Sequence, residues 1–561
     1  MTEFALLSEA RRRWRAVAAL TAAVGLLLGG LWLRRAAWDA TEAERFPPDL
    51  LNAYHWGGQA NRLGILNLYR HAETRNRRDL TLYLDYPPLR LWVMAKWVRW
   101  TRRSFPGLAG WDRSYAFVAP LLRLNTACEL AAALLLYALV TLWSARSELA
   151  TVGARPPPGW ISTPRSRRQG ALAALLLWLD PALLWDAHCW PQWDVWAVTF
   201  FLAAALVASL DGWWTAGLLL GIGSLLKGQL VTVAPFFVLW PLFARRPSCA
   251  LRAALGFATG IACGGSLWLV GTVDAERWRL APTAVLWVAR AVGAALLLFP
   301  WPGLRERPAQ RVAVFAGAVL LLFAPGGAGG SPWSLAVALS ALVGAWFARV
   351  QASRVAPLWA ATGGLLGLVC CVPLFHPDLA WIRMGWFYGA RLHPALTMGN
   401  AANLASLLRD THPDWAGLVS PCVKRSLVAL YVSGLVLSSW AAARAVRMAS
   451  PRVLACLAAP WVLFFALLPQ MHERYLVFAA AATCAFAAVS ALGMATHLVF
   501  SAAALAMMVP PASLPGPLAD LLVREDMLRP AVAVCVLGCA LAWMALALRR
   551  SAQRPAEAAD A

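Results

Sequence analysis

The feature that most constrains this chain is a succession of apolar runs, each about 15–22 residues long, separated by short breaks rich in Arg or Pro. Runs of that length fit helices sized to a bilayer, whereas barrel strands alternate over about ten residues. Backbone groups inside hydrocarbon find no water, so each crossing segment must satisfy its own hydrogen bonds as a helix. The expected fold class is therefore an all-α, polytopic helical bundle. Composition agrees: 60% of the 561 residues are hydrophobic and 14% charged, with a mean hydropathy of +0.58, against a charged share of about 25% in soluble proteins. The first run, Ala16 to Leu33, follows Arg11, Arg12, Arg13 and Arg15. Arg34-Arg35 and bulky residues stand where a signal peptide would carry small residues for cleavage, so it reads as a retained first span.

Basic residues outnumber acidic ones 50 to 28, which could indicate nucleic acid. They fall largely in short loops between apolar runs, however, and positive-inside topology explains that distribution without a nucleic-acid partner. With the N-terminal arginines in the cytoplasm, residues 34–113 form a first exterior loop. Within it, residues 88–101 carry Trp92, Trp97 and Trp100 with Lys96 and Arg99, and Arg103 just beyond, too short and basic to span, and are expected to lie in the interface with the tryptophans and basic residues on one face. A second span near 115–143 returns the chain to Arg146, Arg155, Arg165, Arg167 and Arg168 inside. Further spans are expected near 170–187, 195–209, 213–226, 230–244, 250–271, 283–300, 312–325, 333–349 and 356–373, and then a second exterior loop, 374–423. Runs near 425–441, 453–468, 476–491, 495–510 and 531–548 follow. The expectation is about 14–16 spans in a single integral-membrane domain, 1–548, with a short tail, 549–561, and both termini cytoplasmic.

Four polar clusters fall on the exterior side of this topology. The first runs from Trp38 to Pro88 and contains Asp49, Tyr54-His55-Trp56, Asn67-Leu68-Tyr69 and Asp85-Tyr86-Pro87-Pro88. Pro87 biases Tyr86 to an extended backbone and Pro88 can open a helix, so the stretch ends at a defined corner. The second contains Asp186, His188 and Asp194, ionisable groups beside spans, where charges are costly unless paired. Site formation and simple pairing with Lys227 are both open readings. The third holds His376-Pro377-Asp378, Asn400, Asn403 and His412-Pro413-Asp414; the fourth is His472-Glu473-Arg474, suited to an anionic headgroup. Asp39, Glu42 and Glu44 read as solvated acids at a helix exit, and Glu129 and Arg290 as bridges between helices. The eleven cysteines lie mostly in apolar runs without metal-ligand spacing, and neither His-Glu-x-x-His nor Cys-x-x-Cys occurs, so no metal site and no disulfide framework are expected. No phosphate-cradling Gly-rich loop and no Asp-x-Asp on an inside loop provides for nucleotide chemistry.

In their order, these landmarks resemble the GT-C glycosyltransferases, multi-span enzymes that use polyprenyl- or dolichyl-phosphate sugars, and especially the bacterial relatives of the eukaryotic mannosyl- and glucosyltransferases. The resemblance covers roughly residues 45–480. It rests on Asp49 with Trp56, Gly64 and Asn67-Leu68-Tyr69; Asp85-Tyr86-Pro87-Pro88-Leu89; Asp180-Pro181-Ala182; Trp190-x-Gln192-x-Asp194; Gly221-x-x-x-Leu225-Leu226-Lys227-x-Gln229; Asn400-Ala401-x-Asn403-Leu404; and Met471-His472-Glu473-Arg474-Tyr475-Leu476. Pro191 stands where the family usually has Gly, and Gly228 where it usually has Pro. The resemblance implies transfer of a hexose such as mannose, with inversion, from a polyprenyl-phosphate sugar to a lipid, glycan or protein acceptor on the exterior face of a bacterial inner membrane. It implies Asp49 as general base. His472, Arg474 and Lys227 would hold the donor phosphate, and Asp85, Tyr86, Trp56, Asp194, His188, Asn400 and Asn403 would shape the site. Inverting displacement needs one base and cations for the leaving phosphate. A divalent cation is compatible with the family but not expected. The competing reading is a transporter or lipid flippase, which would be expected to carry repeated halves with broken helices; no such repeat is seen.

Overall fold

The computed structural model describes residues 2–41, 47–74, 84–108, 110–154, 159–269, 380–387, 396, 399–411, 421–509 and 525–549. Among them no strand occurs. The helices are α1 (Thr2–Ala40), α2 (Pro47–Leu63), α3 (Ile65–Thr74), α4 (Pro88–Ser104), α5 (Tyr115–Thr151), α6 (Pro164–Trp178), α7 (Pro181–Leu184), α8 (Asp194–Ser209), α9 (Trp213–Ser224), α10 (Leu230–Val233), α11 (Pro235–Phe243), α12 (Pro247–Leu269), α13 (Ala380–Ile382), α14 (Leu404–Thr411), α15 (Pro421–Arg447), α16 (Val453–Leu467), α17 (Leu476–Ala487), α18 (Ala491–Met508) and α19 (Glu525–Leu548). Two π-helical turns, Trp185–Cys189 and Arg383–Phe387, and a 3-10 turn, Glu473–Tyr475, interrupt them.

Among the described residues, six helical stretches are long and apolar enough to cross a membrane: Leu20–Ala40, Tyr115–Thr151, Pro164–Cys189, Pro421–Arg447, Ala491–Met508 and Arg529–Leu548. The chain is thus a helical membrane protein. Leu20, Leu28 and Trp32 of α1 and Leu541 of α19 expose their side chains, as surfaces facing hydrocarbon do. The protein interior lies around α16 and α17, which are buried on nearly all sides. Their alanines let backbones approach closely, and Trp461 stacks on Phe478 with ring centroids 4.5 Å apart.

Local sequence accounts for the helix starts. Pro87, extended at φ −65° and ψ 157°, leads into Pro88 as the first helical residue of α4. Ser114 accepts from the Phe117 N–H at the start of α5, and Thr163 and Ser166 form a reciprocal capping box on α6. The helix α5 runs beyond the span expected near 115–143, because Arg146 is held by the Ser209 carbonyl at 3.0 Å and Glu148 by the Thr163 hydroxyl at 2.6 Å. Where spans near 213–226 and 230–244 were expected, α9 is only 12 residues long and the second run breaks at Ala234, since Pro235 has no N–H to continue the ladder.

The tryptophans of α4 do not share one face. Trp92 and Trp100 are exposed, whereas Trp97 is buried and its indole N–H donates to the Phe117 carbonyl at 3.0 Å. Five residues from Trp92 to Trp97 turn the helix roughly 140° past a full circle, which sends Trp97 inward. The runs near 283–300, 312–325, 333–349 and 356–373, together with Arg290, Glu42, Glu44, His376-Pro377-Asp378 and His412-Pro413-Asp414, lie outside the described residues.

Candidate functional site

Three of the distant polar clusters meet at one carboxylate. Asp49, in the first turn of α2, presents Oδ2 to three donors: Gln192 Nε2 at 2.8 Å, Trp190 Nε1 at 3.2 Å and Arg474 Nη1 at 3.2 Å. No described residue donates to its Oδ1, and the side chain retains 28% exposure. Burial pushes the Asp49 carboxyl up, but the Arg474 and His472 charges and the Trp190 hydrogen bond outweigh it and hold the group below the usual aspartate range. Arg474 is fully enclosed; burial opposes its charge, and Asp49 and its other neighbours more than compensate, holding it well above the ordinary arginine value.

A second ion pair adjoins the first. Lys227 Nζ lies 2.6 Å from Asp194 Oδ1, at angles outside those of a hydrogen bond, and Arg474 Nε faces Asp194 Oδ2 at 3.5 Å. Arg474 therefore bridges Asp49 and Asp194, while Lys227 sits 5.4 Å from the Tyr475 ring centroid. Burial pushes the Lys227 ammonium down to about 8, with Asp194 working against it. The pairing of Lys227 with Asp194 and the assembly of a charged cluster are thus both present.

Tyr86 and Trp56 form one wall, their rings meeting edge to face at 5.2 Å. The Tyr69 hydroxyl fixes the Tyr86 carbonyl at 2.5 Å. Burial raises the Tyr69 phenol, and the Asp85 charge adds to the shift, so Asp85 lies within electrostatic reach of this wall. Between Tyr86 and Trp193 lies a residue that sequence reasoning missed: Arg90, whose guanidinium carbon is 3.4 Å from one ring centroid and 4.4 Å from the other. Its position two residues after the Pro87-Pro88 corner was the available signal. The Arg90 N–H donates to the Leu225 carbonyl at 3.1 Å, which docks α4 on the Lys227 turn.

His472 approaches Glu473, Nδ1 to Oε2 at 3.0 Å, and its ring lies 5.4 Å from that of Trp190. Asn400 joins the cluster through its backbone: its N–H donates to Glu473 Oε2 at 3.1 Å while its side chain is exposed. Gly399 beside it has φ +52°, and a Cβ there would collide with the Glu473 carboxylate. Asn403 is buried and acts from behind. Its Nδ2 donates to the Phe465 and Leu468 carbonyls at 2.9 and 3.0 Å, and its Oδ1 caps α14 through Ser406.

His188 is not brought to Asp49. Its Nε2 pairs with Glu129 Oε2 at 2.9 Å, and the same oxygen accepts from Arg34 Nε at 2.7 Å. This buried triad joins α1, α5 and the π-helical turn, as the bridging reading of Glu129 expected. A second missed residue, Asn125, holds the connection that carries Trp190 and Gln192. Its Nδ2 donates to the Ala187 and Gln192 carbonyls at 2.8 and 2.7 Å, and its Oδ1 accepts from Trp196 at 2.8 Å. An amide inside the apolar run of α5 was the only trace of it.

The cluster combines a partly open carboxylate with three buried cations, Arg90, Lys227 and Arg474, and an aromatic wall. It can accept a proton at Asp49 Oδ1 and neutralise an anionic group at Arg474 and Lys227. No family model matches the chain, and no curated protein matches it.

Proposed function

We propose that the protein is a GT-C-type hexosyltransferase acting at the exterior leaflet of a bacterial inner membrane, with a polyprenyl-phosphate sugar as donor. One observation carries the reading: the separated landmarks Asp49, Trp190, Gln192 and Arg474 converge on a single carboxylate oxygen, with the other oxygen left without a described donor. In the reaction, an acceptor hydroxyl attacks the anomeric carbon as the bond from that carbon to the phosphate oxygen breaks, with inversion. The hydroxyl proton passes to Asp49 Oδ1. Neutralising Asp49 weakens its hold on Arg474 just as negative charge grows on the departing phosphate, so the guanidinium shifts its attraction to the leaving group. Lys227 adds charge on the same side, and His472 can donate a hydrogen bond to the phosphate. A carboxylate held below the ordinary range is a weak base, which suits a proton transfer that is late and concerted with attack. No metal at the reaction centre is part of this reading.

The test is a two-donor comparison in reconstituted vesicles, following sugar incorporation into membrane lipid from a polyprenyl-phosphate hexose and from a nucleotide hexose. Transfer from the lipid-phosphate donor alone is expected, with Asp49→Asn reducing turnover by about 10²–10⁴-fold while leaving donor binding intact. Transfer from a nucleotide sugar without any polyprenyl phosphate would overturn the proposal.

A further inference from the structure

Elsewhere in the bundle, three segments bring together a carboxylate, an imidazole and a thiol that the proposed reaction does not use. Asp180 precedes α7, Cys484 lies on α17 and His497 on α18, and all three are buried. The two oxygens of Asp180 differ in their surroundings. Oδ1 accepts from the Ala182 and Leu183 N–H groups at 2.9 and 3.1 Å and from the Ser501 hydroxyl at 3.0 Å. Oδ2 has no hydrogen-bond partner and faces His497 Nε2 at 3.9 Å.

The other face of the imidazole fixes its tautomer. His497 Nδ1 lies 3.2 Å from the Ala480 carbonyl, an acceptor only, so the proton belongs on Nδ1 and Nε2 carries a lone pair. Thr483 supports the same arrangement, 3.2 Å from Nδ1 and 3.0 Å from that carbonyl. Two acceptors, Nε2 and Oδ2, therefore confront each other among buried groups, and Cys484 Sγ, whose S–H donates to the Ala480 carbonyl at 3.4 Å, lies 3.9 Å from Nε2 and 3.8 Å from Nδ1. The three candidate ligand atoms all lie within 4.8 Å of one another.

The geometry points to a buried divalent transition-metal site, of the zinc class, ligated by Asp180 Oδ2, Cys484 Sγ and His497 Nε2. A separation of 3.9 Å is too long for a hydrogen bond. The two edges that meet at Nε2, both 3.9 Å, are slightly wider than the edge of about 3.3–3.8 Å expected for tetrahedral bonds of about 2.0–2.3 Å, and the third lies within 4.8 Å, so the carboxylate and the thiol must draw together as the metal binds. Charge gives the stronger argument. One carboxylate, one thiolate and one neutral imidazole make a divalent cation electroneutral, the state that an apolar surrounding favours. The mixed S, N and O donors select zinc over magnesium or calcium. An imidazole whose Nδ1–H donates to a backbone carbonyl is oriented as metal-binding histidines are. On binding, the Cys484 thiol gives up its proton, which leaves with solvent. The metal would staple α7, α17 and α18 together beside the π-helical turn that leads to Trp190 and Gln192.

The test uses the full-length protein in detergent and needs no transferase activity, so its failure is separate from that of the proposed function. Wild-type protein is expected to contain zinc equimolar with the chain. Cobalt should produce a thiolate-to-metal charge-transfer absorption, and added zinc should raise the thermal midpoint. Asp180→Asn keeps a side-chain oxygen for the α7 cap and should fold; it and Cys484→Ser should lose zinc, with affinity at least about tenfold weaker. Zinc content in wild type no higher than in Asp180→Asn, or a cobalt spectrum without thiolate absorption, would overturn the proposal. In that case a proton shared between Asp180 and His497 is what the pocket holds. Should the variants fail to fold, the cobalt spectrum of the wild type decides alone.

Discussion

If the proposed reaction holds, Asp49 and Lys227 set opposite edges of its pH range. Because Asp49 is held below its ordinary value of 3.8, it is ionised at that pH and above, and its contribution to stability is lost only as pH falls through the lowered value. The acid limb of kcat/KM should accordingly lie below 3.8, and Arg474→Gln should move it upward by removing the main opposing charge; an unmoved limb would show that Arg474 does not tune this carboxylate. Lys227 behaves in the opposite sense. Its ammonium loses a proton at about 8, against 10.5 for an unburied lysine, so activity that depends on its charge falls as pH rises through about 8. Over the same window the unfolded chain binds the proton that the folded one has released, so this residue's contribution to stability rises with pH. Lys227→Arg, charged at any working pH, should abolish the alkaline limb. A pH–rate profile for each variant checks both limits.

Two amides decide how the elements carrying these residues are held. Asn125 on α5 satisfies two carbonyls and one indole of the connection between the π-helical turn and α8. Asn125→Leu would leave those buried groups unpaired, at about 1–3 kcal/mol each. It should lower the thermal midpoint and reduce turnover together, since Gln192 is then free to leave Asp49. Retention of wild-type turnover would separate the clamp from the site. Asn403 does the equivalent at the end of α16, which explains why the Asn-Ala-x-Asn segment lies beside His472-Glu473-Arg474. Close backbone packing serves a different purpose between α9 and α12. A Cβ on Gly221 would collide with the Phe257 carbonyl and with Gly260. Gly221→Val should therefore push α12 away from α9 and loosen the Lys227 turn that follows α9, visible as faster proteolysis or hydrogen exchange at residues 225–229.

At the scale of the whole molecule, α5 spans roughly 55 Å from end to end, and its two ends have different company. Phe117 and Asn125, near its start, support the Asp49 cluster, whereas Arg146, near its finish, meets Ser209. The arginine distribution predicts that the first end is exterior and the second cytoplasmic. In a cysteine-free background, Leu108→Cys should react with an impermeant maleimide added to intact cells, and Val152→Cys only after permeabilisation; both native side chains are exposed. Labelling of Val152→Cys from outside would invert the orientation and separate the cluster from an exterior donor.

The sequence by itself determined that this is a helical membrane protein, because hydrocarbon leaves the backbone no other way to satisfy its polar groups. It also brought forward Asp194 as a candidate, because charges beside apolar runs are costly unless they are used or paired, and Asp49, Lys227, His472 and Arg474 through the order of landmarks on which the resemblance rests. The Pro87-Pro88 corner depends only on neighbours in the chain, which kept it legible. Only the tertiary structure decided which charge meets which. His188 turns away to Glu129 and Arg34, Asn403 works through the ends of helices, and Trp97 points inward, since each outcome depends on a helix brought from elsewhere. Arg90 and Asn125 escaped notice for the same reason: alone in the sequence, neither has the partners that define it. The grouping of Asp180, Cys484 and His497 follows no local spacing, because its members come from three separate segments and become neighbours only when α17 and α18 pack against the start of α7.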